Sequence, residues 1–235
     1  QAAALDAVID GFQKTSSVQL VMACGTGKTL TAFRIAESLE PSRVLVLLPS
    51  LLLVEQTMRS WLAEAQSGFV PLAVCSDESV GFSSSEDATR TIGLGIPVTT
   101  DPAEIRKHLE GAGLRVVFST YHSSKSVAEA LRGFRDSSFD LIIADEAHRL
   151  AGAVDKDFGL VLDSTALPRK QTLFMTATPR VFSSALKSKA EERGAEVISM
   201  DDDTFGEVFF NYSFGDAIRD SVLTDYRVLV IGISD

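Results

Sequence analysis

Between Val18 and Leu30 the chain reads Val-Gln-Leu-Val-Met-Ala-Cys-Gly-Thr-Gly-Lys-Thr-Leu. An apolar stretch feeds a glycine turn, and the turn opens onto a helical pattern (Thr29, Ala32, Phe33, Ala36, Leu39). Strand, glycine loop and helix in that order are what a phosphate-binding loop needs. The glycines let backbone N–H groups converge, and the new helix adds its positive N-terminal end. Lys28 would reach the β- and γ-phosphates of a nucleotide, and the Thr29 hydroxyl would hold Mg²⁺. The full pattern asks for glycine at position 22, where this chain has Met22. Taken alone, the stretch also fits a glycine turn capping an ordinary βα unit.

The rest of the 235 residues reads as alternating strands and helices. Residues 2–12 carry Ala4, Leu5, Val8, Ile9 and Phe12 at helical spacing. Arg43–Leu48 is a continuous apolar run, the mark of a strand buried on both faces, and Pro49-Ser50 turns it into a helix bearing Leu52, Leu53, Gln56, Trp61 and Leu62. Val70–Cys75 is a further strand. Residues 76–97, rich in Ser, Gly and acids, read as a loop or insertion without a motif. Asp101-Pro102-Ala103-Glu104 starts a helix through Leu109, with Asp as N-cap, Pro at the first helical position and Glu at the third. Leu114–Ser119 and Phe139–Ala144 are buried strands flanking a helix from His122 to Leu131. A polar loop is expected to about Leu167, then a strand at Gln171–Met175, a helix from Ser183 to about Arg193 and a short strand at Glu196–Met200. An acidic segment leads to a last strand, Tyr226–Ile233. This order implies an α/β fold, mainly a parallel sheet with helices on both faces and right-handed crossovers.

Composition narrows the function class only slightly. At 45% apolar and 23% charged the chain is of ordinary globular type, and no apolar run approaches the ~20 residues of a membrane span. Two cysteines, Cys24 and Cys75, make no disulfide framework, so a reducing cytoplasm is the simpler expectation. The net charge of −10 argues at first against nucleic acid. Residues 196–227, however, hold eight acids against Arg219 and Arg227, leaving only −4 for the rest of the chain.

A second constellation, Asp145-Glu146-Ala147-His148, follows the strand Phe139–Ala144. Ligands in open α/β sheets sit at that carboxyl end. An Asp there can hold Mg²⁺ opposite Thr29, and the adjacent Glu146 can orient and polarise an attacking water. A solvated acidic turn is the alternative. A third, Thr176-Ala177-Thr178, ends the strand Gln171–Met175.

Gly25-Thr26-Gly27-Lys28-Thr29, Asp145-Glu146-Ala147-His148 and Thr176-Ala177-Thr178 resemble, in order, motifs I, II and III of superfamily 2 helicases and translocases of the DEAH type. Pro49-Ser50-Leu51 through Gln56 looks like motif Ia, and Ser119-Thr120-Tyr121 like the strand-end motif before motif II. Gln1 looks like the glutamine that reads adenine. A finer likeness is to the motor domains of type ISP and type I restriction enzymes and related bacterial defence helicases. It is carried by Met22–Thr29, Val98–Pro102, Phe118–Tyr121, Met175–Arg180, Phe214–Ile218 and Leu223–Tyr226.

The resemblance implies a RecA-like ATP-binding domain over 1–225, with 226–235 the linker or first strand of a second RecA-like domain. It implies ATP and Mg²⁺ as cofactors. Gln1, Gly25, Thr26, Gly27, Lys28 and Thr29 would bind the nucleotide, and Thr29 with Asp145 the metal. Lys28, Asp145, Glu146 and His148 would be catalytic. Ser50, Thr120, Tyr121, Thr176 and Thr178 would contact nucleic acid or couple it to the nucleotide. Expected partners are nucleic acid, in the first place double-stranded DNA, the second RecA-like domain, and nuclease or methyltransferase modules of a longer polypeptide, with no membrane. An RNA helicase and a nucleotide-gated interaction module that moves along nothing remain as alternatives.

Overall fold

Continuous apolar runs with no polar face can be satisfied only between two layers, and the computed structural model builds its sheet from them. It describes residues 1–65, 68–75, 96–133, 138–153, 156–193 and 197–225. In chain order the elements are α1 (Ala2–Phe12), β1 (Ser17–Met22), α2 (Lys28–Ser38), β2 (Arg43–Leu48), α3 (Leu51–Glu64), β3 (Val70–Val74), α4 (Pro102–Leu109), β4 (Arg115–Thr120), α5 (Ser124–Leu131), β5 (Phe139–Ala144), β6 (Gly152–Ala153), α6 (Lys156–Leu162), β7 (Arg169–Thr176), α7 (Ser184–Glu191), β8 (Val197–Ile198), β9 (Glu207–Tyr212) and α8 (Phe214–Arg219).

Seven strands form one sheet in the order β3-β4-β2-β5-β7-β1-β9, and every neighbouring pair is parallel. Alternate residues of each central strand enter opposite cores. Val44, Val46, Leu48, Phe118, Ile143 and Met175 pack with α1, α2 and α3. Leu45, Leu47, Val117, Ile142 and Phe174 pack with α4, α5 and Val161 of α6. Helix starts follow local chemistry. The Ser50 side chain accepts from the Leu53 amide to begin α3, and the Asp101 side chain accepts from the Ala103 amide ahead of Pro102 to begin α4.

The parallel α/β sheet expected from the sequence is found, with corrections toward its end. The stretch read as a polar loop to Leu167 contains a 3₁₀ turn at Ala147–Leu150, the strand β6 and the helix α6. The strand expected at Glu196–Met200 is only β8. It pairs antiparallel with β6, apart from the main sheet. The helix expected from His122 begins at Ser124, after a turn. The acidic segment, read without regular structure, supplies β9, an edge strand parallel to β1, and then α8 with a full capping box from Ser213 and Asp216. Most of the segment 76–97 and the final strand expected at Tyr226–Ile233 lie outside the described residues, as does the boundary at 226–235.

One buried side chain ties the acidic segment down. Gln19, on the face of β1 opposite Leu20, donates from Nε2 to the carbonyls of Met200 and Gly206, each at 2.7 Å. Replacing Gln19 with Leu leaves both carbonyls without this donor. The expected result is a loss of about 2–4 kcal/mol, read by thermal denaturation of the purified chain.

Candidate nucleotide site

The strand order places β7 between β5 and β1, so the three motif-bearing strands are neighbours. Val21 pairs with Thr176, and Ala144 with Phe174, so all three run out at nearly the same level. The glycine loop, the Asp-Glu-Ala-His turn and the Thr-Ala-Thr turn therefore leave one end of the sheet side by side.

In the loop, Gly25 and Gly27 hold φ of 80° and 89°, which disfavours a side chain at either position. The Gln1 amide lies where a Cβ on Gly27 would stand, so the glutamine proposed to read adenine is packed directly on the loop. The Thr26 hydroxyl closes the turn by donating to the Ala23 carbonyl at 2.6 Å. Lys28, only 9% exposed, donates from Nζ to the Met22 carbonyl at 3.2 Å. The side chain of Met22 is buried in the core, so the residue that departs from the motif offers the site its main chain.

Asp145 is equally buried, and three bonds fix it. Its amide donates to the Leu47 carbonyl at 2.9 Å. Its Oδ1 accepts from the Glu146 amide at 2.9 Å, and its carbonyl accepts from the Tyr121 hydroxyl at 2.6 Å. Burial, and then the neighbouring Glu146 charge, push the Asp145 carboxyl up to about 6. The Glu146 amide and the Lys28 ammonium draw it partly back. Glu146 has φ 52°, a left-handed conformation uncommon outside glycine, and it opens the 3₁₀ turn that carries His148.

His148 Nδ1 lies 3.0 Å from Thr176 Oγ1 and 3.3 Å from Glu146 Oε2. The same threonine oxygen accepts from the Thr178 amide at 3.1 Å. A continuous polar path therefore joins the Thr-Ala-Thr turn to Glu146. Burial holds the His148 imidazole below its ordinary pKa, opposed by Glu146 and reinforced by Arg180, Arg149 and Lys28. Both oxygens lie against Nδ1, so the neutral ring that burial favours either donates to them from Nδ1–H or accepts the Thr176 hydroxyl there, according to its tautomer.

These residues suit Mg²⁺ and a nucleotide. Two adjacent carboxylates, one of them buried and hard to ionise, form a site that a divalent cation would relieve, and a side chain on Gly27 would run into Gln1. Other sequence expectations land elsewhere. Thr120 and Tyr121 are about 1% exposed and turned inward. Thr120 bonds to the Ser123 hydroxyl at 3.0 Å, and Tyr121 supports Asp145. Their side chains are thus part of the interior and offer no surface to a nucleic-acid strand. Ser50 uses its hydroxyl as a helix cap, while Thr178 is exposed beside the relay. The bond from Tyr121 to the Asp145 carbonyl was not readable from the sequence, because it ends on a backbone atom.

Comparison with known proteins gives the family of the chain. A family model described as "Type III restriction enzyme, res subunit" matches residues 1–181. The chain belongs to that family, and it is a first RecA-like domain of superfamily 2 helicase type. It is 30% identical over 221 residues to a probable helicase, A859L, of African swine fever virus (isolate Tick/Malawi/Lil 20-1/1983), covering 94% of this chain and 22% of the viral protein. To the type I restriction enzyme EcoAI endonuclease subunit of Escherichia coli it is 28% identical over 236 residues, covering 97% of this chain and 23% of that subunit. A nuclease-deletion mutant of the type ISP restriction-modification enzyme LlaGI, solved with a DNA substrate mimic, superposes with TM-score 0.76 at 33% identity, over 96% of this chain and 18% of that one. The chain thus spans about a fifth of the length of each of these relatives. Among the described residues, no helix is long and apolar enough to cross a membrane.

The raised Asp145 pKa has a signed consequence for stability. Between the ordinary carboxylate range and about 6 the folded chain binds more protons than the unfolded one, so this group's contribution falls as pH rises through that window. Asp145→Asn should therefore stabilise the nucleotide-free chain at pH 7.5, by on the order of 1–2 kcal/mol. The gain should shrink at pH 5, where the wild-type carboxyl is itself largely protonated. Thermal midpoints of both proteins at the two pH values check this.

Proposed function

We propose that this chain is the ATP-binding half of a motor that moves on double-stranded DNA inside a restriction-modification or phage-defence enzyme of the cytoplasm. The observation that carries the proposal is the relay Thr178–Thr176–His148–Glu146, set beside buried Lys28 and Asp145 at one end of the sheet. In this reading the loop amides and Lys28 hold the phosphates, with Lys28 exchanging the Met22 carbonyl for phosphate oxygens. Thr29 and Asp145 hold Mg²⁺, which neutralises charge on the transferring phosphoryl group when bound. Glu146 holds and polarises the attacking water, with its carboxylate held 3.3 Å from His148 Nδ1. His148 and Thr176 link the state of Glu146 to the Thr-Ala-Thr turn, which leads toward Arg180 and the exposed helix α7.

DNA as the track is supported by the relatives, among them the LlaGI enzyme solved with a DNA substrate mimic. Their much greater length supports a second RecA-like domain and nuclease or methyltransferase modules as partners in one polypeptide. Such a second domain supplies arginines that contribute ~10³–10⁵ in rate. The 235-residue chain, which carries no second-domain motif, is expected to bind Mg²⁺–ATP, hydrolyse it slowly and respond little to DNA.

Titration with a fluorescent ATP analogue should show Lys28→Ala weakening binding by about 10- to 100-fold. Glu146→Gln should retain binding and lose the residual hydrolysis. Unchanged affinity in the first variant would overturn the site, and unchanged hydrolysis in the second would overturn the role given to Glu146. Rapid DNA-stimulated turnover by this chain alone would overturn the division of labour between two domains.

A further inference from the structure

Trp61, the single tryptophan of the chain, is 1% exposed near the end of α3. Its ring meets Phe33 of α2 at 5.0 Å between centroids, Phe118 of β4 edge-on at 5.4 Å, and Phe69 at 6.3 Å. These contacts account for the burial of the ring and leave the direction of the indole N–H to be explained. That group donates to the carbonyl of Thr29 at 3.2 Å. A carbonyl in the first turn of a helix already accepts from the amide four residues on, and its second lone pair is free for another donor. Here the donor comes from a different helix. It grips the residue whose side chain stands at the proposed Mg²⁺ position, next to Lys28.

We propose that Trp61 is a positioning residue for Mg²⁺–nucleotide binding: its N–H clamps the Thr29 carbonyl and so fixes the first turn of α2 against α3. The inference rests on the nucleotide-site reading above and adds to it a contact outside every motif. The same side chain touches α2 through Thr29 and Phe33, and it touches β4 through Phe118, two residues before Thr120. The orientation of the metal-binding turn is therefore tied to α3, which starts on Ser50, and to β4, which ends at Thr120. A tryptophan whose only duty were to fill the core could leave its N–H to any acceptor in reach. This one is spent on the turn that carries Lys28 and Thr29.

The test uses the 235-residue chain and a directly excited fluorescent ATP analogue, titrated with Mg²⁺. Trp61→Phe keeps an aromatic ring and removes the donor. It should raise the half-saturating Mg²⁺ concentration about five-fold, the worth of one neutral hydrogen bond. Phe69→Leu loosens the same aromatic cluster without touching the N–H, and should leave that concentration unchanged while lowering the thermal midpoint. In the wild-type chain, Trp61 emission should shift on adding Mg²⁺–ATP and stay put with Mg²⁺ alone. An unchanged Mg²⁺ dependence in Trp61→Phe, an equal rise in both variants, or a silent Trp61 emission would each overturn the role of Trp61 while wild-type binding stands. Should Trp61→Phe fail to fold, the wild-type emission decides. A wild-type chain that binds no Mg²⁺–ATP would instead bring down the site reading, and this inference with it.

Discussion

The main-chain hydrogen bonds that lay β7 between β1 and β5 bring together stretches more than a hundred residues apart in the chain. Parallel pairing makes all three strands point the same way, so their carboxyl ends and everything that follows them emerge on one edge. Lys28, Asp145 and Thr176 are neighbours for that reason. Their own attractions would not assemble them: like charges at Asp145 and Glu146 repel, and burial opposes the ionised Asp145. The sheet imposes the arrangement, and the apolar runs on its two faces provide the driving force.

Much of this was legible in the sequence because it is written in periodicity and in side chains. Runs such as Val44–Leu48 and Leu141–Ala144 can only be two-faced strands, and glycines ahead of Lys28 can only be a tight turn. Legibility failed where another signal masked the pattern. In β9 the surrounding acids hid Val208, Phe209, Phe210 and Tyr212, and an edge strand keeps no continuous apolar run: Glu207, Val208 and Asn211 are exposed there. The helix α6 is a short element of seven residues, too few for a helical stripe to stand out in the sequence. The ribbon β6–β8 has two residues on each side and no length from which to read a period.

The candidate site divides in the same way. Side chains aimed at a ligand were found from their spacing, and those aimed at backbone atoms were not. Tyr121 resembled a residue of a nucleic-acid motif, yet its hydroxyl ends on the Asp145 carbonyl. Trp61 looked like one more apolar residue of α3, yet its N–H ends on the Thr29 carbonyl. Gln19 holds two carbonyls from a distant segment. Main-chain acceptors have no letter in the sequence, so the partners that aim a site must be found in three dimensions. Each such bond is worth only about 1 kcal/mol in stability, but it holds an angle that packing alone leaves free.

Met22 shows the same division from the opposite side. Its thioether is sunk in the core and its carbonyl accepts the Lys28 ammonium, so the loop holds an internal stand-in for a ligand oxygen. The stand-in occupies one of the three ammonium donors of Lys28. An arriving ligand oxygen takes the place of the Met22 carbonyl on that donor. What the chain must preserve at position 22 is therefore a peptide group, and a side chain larger than glycine costs the cradle nothing.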